Sequence, residues 1–128
     1  GAWGEAARHA QAAELIVEEG GLGDYSTSAL VSAATARVAL HEGRNEDART
    51  ALARAHRLRP QLDHAIPWVT IQVGLALTRV HLALGDAGAA RTILTETERV
   101  LELRPDLASK SSTGSMIAHF CVLRSATT

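Results

Sequence analysis

The side chains able to do chemistry in this 128-residue chain are six histidines, one cysteine and a large set of arginines. A zinc site asks for closely spaced His and Cys ligands. No two histidines show a His-Glu-x-x-His spacing, and Cys121 has no second cysteine for a Cys-x-x-Cys pair. Serines and threonines are frequent, yet none sits in a Gly-x-Ser-x-Gly elbow. The single lysine, Lys110, follows no glycine-rich turn of the kind that cradles phosphate. Gly20, Gly21 and Gly23 come after a helical pattern rather than a strand, so they read as a helix stop. Asp63-His64 is placed to cap the helix that follows. The expectation is a non-enzymatic protein with no catalytic residue, no metal and no cofactor.

Binding chemistry has better candidates. Arg49, Arg54 and Arg57, with Arg59 beyond them, cluster on and after one predicted helix. Guanidinium groups can fork onto carboxylate or phosphate, although a solvated face complementing the helix C-terminus is the simpler reading. Trp68 sits beside Pro67 at a predicted helix start, between two sequence repeats. It fits a core plug at that junction, or the lining of a groove that takes a ligand.

Five helices must position these residues. Residues 4–19 carry Ala6, Ala10, Ala13 and Val17 at helical spacing. Asp24, Ser26 and Ser28 offer caps for a second helix over 27–42, with Leu30, Ala33, Ala34, Val38 and Leu40 inward and His41 following the same stripe. A third helix runs from a cap at Asn45 to Pro60, acidic at its start (Glu46, Asp47) and basic at its end (Arg57). Pro67 suits the first turn of a fourth helix over 67–84. Gly85 stops it, Asp86 can cap the next, and a fifth helix spans 87–103 before Pro105. Residues 109–115 read as a linker. Met116 to Leu123 is a short apolar run that fits a capping turn, a strand or a tail.

Composition agrees. Apolar residues make up 46% and aromatics 3%, and 24 positions are alanine. A core of Ala and Leu suits closely packed helices better than a sheet. A net charge of −1 argues against a chain held to nucleic acid by phosphate contacts. Twelve of the 13 basic residues are arginine, as the codon bias of a GC-rich genome would produce. No segment approaches a membrane span or a signal peptide, and one unpaired cysteine fits a reducing compartment. The expectation is a soluble cytoplasmic protein.

The chain also repeats itself. Residues 37–52 (RVALHEGRNEDARTAL) and 79–94 (RVHLALGDAGAARTIL) agree at eight of 16 positions, offset by 42. Leu58-Arg59-Pro60 returns as Leu103-Arg104-Pro105, offset by 45, so the second copy is nearly one helical turn longer. Residues 7–12 weakly echo 48–53, the back half of an earlier unit. Helix pairs at this period indicate a solenoid. In the first copy Ala36, Gly43, Ala48, Ala55 and Pro60 match the spacing of a tetratricopeptide repeat, which it resembles; the second keeps Gly85 and Ala90 but has Thr97. The expected fold is all-α, a right-handed α-solenoid of antiparallel helix pairs. Its repeat domain would span 1–107, with a half repeat over 4–19 and full repeats near 27–60 and 67–105. Residues 108–128 would be linker and tail, with a capping role for the apolar run. Uncapped apolar solenoid ends also favour a homodimer.

Residues 13–107 resemble the helical-repeat region of large ATP-dependent LuxR-family transcriptional regulators of the maltose-activator type, in their actinobacterial form. The motifs that carry the likeness are Gly20-Gly21-Leu22-Gly23-Asp24-Tyr25 and the two Leu-Arg-Pro closings. The resemblance implies a sensor and interaction module that takes a protein or small-molecule effector and relays it to ATPase and DNA-binding modules. This segment itself would touch neither nucleic acid nor membrane. Neither a phosphate loop nor a helix-turn-helix pattern is present in these residues. A free-standing scaffold for protein assembly is one alternative, and a small helical enzyme with its site assembled across a dimer is another.

Overall fold

The structure, a computed structural model, describes residues 1–23, 25–26, 28–62, 67–103 and 121–127. Those residues form helices and turns with no strand. The five main helices are α1 (Ala2–Glu19), α2 (Ser28–His41), α3 (Asn45–Leu58), α4 (Pro67–Ala83) and α5 (Ala87–Leu103). A 3-10 turn, Arg59–Gln61, follows α3, and residues 121–127 are helical. The chain divides after Leu62 into two units, Gly1–Leu62 and Asp63–Thr128.

Helix ends are set by short-range chemistry. At the end of α2, Gly43 has φ +79°; its N–H donates to the Leu40 carbonyl and the Arg44 N–H to that of Ala39. Gly85, at φ +82°, does the same after α4, with bonds to Leu82 and, from Asp86, to His81. A residue with a Cβ would be strained in this left-handed conformation, so glycine lets both helices reverse in the same way. The two turns differ in how the next helix is started. Asp86 Oδ1 accepts the Ala89 N–H at 3.1 Å, a side-chain cap for α5. Asn45 does not cap α3: it is already the first helical residue, and Arg44 holds the cap position without a side-chain cap bond. Arg44 instead bridges Glu42 (2.7 Å) and Asp47 (2.9 Å), which holds its guanidinium above the ordinary pKa.

In the first unit α2 packs against α1 on one side and α3 on the other. Its buried residues include Ala29, Ser32, Ala33, Ala36, Val38 and Ala39. The single inward stripe expected for α2 is therefore corrected. Leu30 and Ala34 are exposed and Leu40 is half-buried, while Ala33 and Val38 are buried. A helix with neighbours on two sides has no single apolar face, and a one-face reading merges the two.

In the second unit α4 packs against α5. Ile71, Leu75, Leu94 and Val100 form a cluster that takes in Leu123 from the helical segment 121–127. That segment is also tied by Arg124 to Glu98 and by the Arg91 guanidinium to the Thr127 carbonyl. Residues 104–120, including the linker over 109–115 and most of the apolar run from Met116, lie outside the described residues, as do Asp24 and Asp63-His64.

Candidate functional site

The first unit carries an open groove of about 460 Å³ between α1 and α2. Its α1 wall is the alanine stripe Ala6, Ala10 and Ala13, and its α2 wall is Leu30, Val31 and Ala34. Where two helices do not close on each other, methyl side chains at three successive turns leave the space between them unfilled. Between the helices, Ser28 Oγ donates to the Leu22 carbonyl at 2.8 Å, and the Leu22 N–H donates back to Val17 at 2.8 Å.

Trp3 and Arg37 close one end of the groove. The Trp3 ring stacks on His41, centroids 4.0 Å apart and planes 7° from parallel. Arg37 Cζ lies 5.9 Å from the Trp3 ring centroid, within cation–π range. Stacking on an imidazole restricts the indole, and the indole in turn restricts the guanidinium. Among the described residues, Arg37 has no hydrogen-bond or ion-pair partner, and no Asp or Glu lines the groove. His41 is thus exposed and stacked, rather than continuing an inward stripe.

The arginines singled out from the sequence do come together. Arg49, Arg54 and Arg57 surround Thr50 and Ala53 at a shallow hollow on α3. Arg54 is partly committed, because its Nη2 pairs with Glu14 of α1 at 3.3 Å, although its buried Nε has no partner. It ties α3 to α1 more than it offers itself to a ligand. Trp68 lies in the other unit, at the start of α4, and is 39% exposed.

His81 is the histidine whose surroundings matter most in the second unit. It is buried near the end of α4, and Asp86 Oδ2 lies 3.7 Å from its Nδ1. Desolvation pushes the imidazole below its ordinary pKa, with the Asp86 charge opposing. Among the described residues no three His, Cys, Asp or Glu side chains converge as a metal site would require. None of the described helices is long and apolar enough to cross a membrane.

Sequence reasoning missed Trp3 and Arg37. A signal was present: Leu30, Ala34, Arg37 and His41 recur at helical spacing, a second face of α2 that ends in two groups able to hold an aromatic ring. Fold and groove together define an all-helical protein with an interhelical cleft bearing one positive charge. No protein family, no curated protein and no solved structure matches the chain.

Proposed function

We propose that the chain is a non-enzymatic helical-repeat module of a LuxR-family transcriptional regulator, binding an effector or a partner protein in a groove between helices. One observation supports the repeat part most strongly. The buried positions of α3 are Ala48, Ala51, Leu52, Ala55 and Leu58, and those of α5 are Ala90, Ile93, Leu94, Thr97 and Val100. Each is 42 residues from its counterpart. In this reading α2–α3 and α4–α5 are successive turns of a right-handed α-solenoid, and α1 is the second helix of a preceding unit. Effector occupancy would shift how neighbouring helices pack, and so bias ATPase and DNA-binding modules elsewhere in the same cytoplasmic protein. The family assignment rests on the resemblance of residues 13–107.

The test is the size of the natural gene product, by immunoblot with antibodies to residues 13–107. A band several-fold heavier than 13.5 kDa supports the regulator. A band at 13.5 kDa excludes it in favour of a free-standing scaffold.

A further inference from the structure

We infer that the α1–α2 groove is a binding site for a small amphiphilic carboxylate, a molecule with one carboxylate on an aliphatic or aryl body. This names a ligand class for the interaction-module reading above. Its binding test can fail without affecting the gene-product measurement, and the reverse also holds.

Three features select that chemistry. The volume, about 460 Å³, falls within the range of roughly 300–1,000 Å³ typical of small-molecule sites. Apart from His9 on α1, the walls between the two ends are aliphatic, which suits an apolar body. The fixed charge at the end is a guanidinium held over Trp3, with no acidic side chain among the described lining residues. A guanidinium forks onto a carboxylate with two parallel hydrogen bonds, and a restrained one loses less freedom in doing so. A cationic ligand would be repelled, and a neutral one would leave Arg37 unused.

The second helix pair supplies a contrast. Val31, Ala34 and Thr35 of α2 correspond to Val73, Ala76 and Leu77 of α4, all three of them buried. Arg79, which corresponds to Arg37, is engaged in an interaction of its own. Val31 and Ala34, which line the groove, are half-buried and exposed, whereas their counterparts Val73 and Ala76 are buried.

The experiment uses the full chain with Trp68→Phe, so that Trp3 is the sole indole reporter. Decanoate is titrated below its micellar concentration, with decanol and decylamine as controls. The expected result is a saturable Trp3 fluorescence change, with decanoate at least about tenfold tighter than either control. Arg37→Gln should weaken decanoate about tenfold and leave decanol unchanged. Ala34→Phe, at an exposed position on the wall, should abolish binding with helix content by circular dichroism unaltered. The proposal is overturned if decanoate gives no saturable response, if decylamine or decanol binds as tightly, or if Arg37→Gln has no effect. It is equally overturned if Trp3 is occluded by a second copy of the chain at the concentrations used.

Discussion

The helix pairs α2–α3 and α4–α5 bury corresponding positions with different side chains. Ala29, Ala33 and Ala51 of the first pair face the core where the second has Ile71, Leu75 and Ile93. Small residues at a helix seam allow backbones to approach, whereas branched ones hold them apart and fill the gap with carbon. At one corresponding position the pattern inverts. The first pair has buried Ser32 on α2 and Ala55 on α3; the second has Gly74 on α4 and Thr97 on α5. A Cβ on Gly74 would come within 2.0 Å of Thr97 Oγ1, so the larger side chain on one helix is accommodated by the missing one on the other. Both pairs keep the turn glycine and the buried register while individual side-chain sizes vary. The backbone plan is the repeated object.

The largest effect should come from disturbing that seam. Gly74→Ser gives α4 the side chain found at the corresponding position of α2, and should cost about 2–3 kcal/mol by overpacking against Thr97. Chemical denaturation of the whole chain would measure it. Ser32→Gly, the opposite exchange, should cost no more than about 1 kcal/mol, the ordinary penalty of glycine inside a helix. Equal costs would mean that the two seams are not differently packed.

Next in size are the turns. Gly43→Ala and Gly85→Ala should each lose about 1–2 kcal/mol, since alanine pays for a left-handed conformation that glycine adopts freely. Similar losses in urea midpoints would confirm that the two reversals are equivalent. The starts of the following helices should then separate the pairs. Asp86→Ala removes a side-chain cap and should cost about 1 kcal/mol, whereas Arg44→Ala removes exposed ion pairs and should change the midpoint little.

The smallest expected difference is in pH dependence. Burial lowers the folded-state pKa of His81 beneath the unfolded value, so the unfolded chain takes up its proton first as pH falls. The contribution of neutral His81 is full above about pH 6.5, the unfolded reference, and declines as the pH drops toward the lowered folded value. His81→Asn should flatten the acid side of a stability profile taken from pH 7.5 to 5.5. The first pair has Ala39 at the corresponding position, so a matching Ala39→Ser change should leave that slope as it was.

Much of the scaffold was legible because its signals are local. Glycine stops, Pro67 at a first turn and the 42-residue offset placed all five helices to within two residues at each end. The cap at Asp86 was equally readable. Asn45 is not the cap its type suggests, because the preceding turn is so tight that Arg44, its last residue, is also the cap of α3. The faces of α2 were misassigned for a different reason: contact with α1 and α3 together removes the one-sided periodicity on which such a reading depends. The groove was hidden because it comes from what alanines fail to fill, and its Trp3–His41–Arg37 end joins residues far apart in sequence. The arginines of α3 were found by their density alone, which could not show that Arg54 is already held by Glu14.

The central claim, that α2–α3 and α4–α5 are one repeated design, is tested most directly by transplanting the seam. The double variant Gly74→Ser with Thr97→Ala gives the second pair the residues of the first. Recovery to within about 0.5 kcal/mol of the parent by urea unfolding, from the deficit of Gly74→Ser alone, is the predicted result. A double variant as unstable as the single would mean that the second pair cannot take the residues of the first, and the repeat would be a likeness of sequence alone.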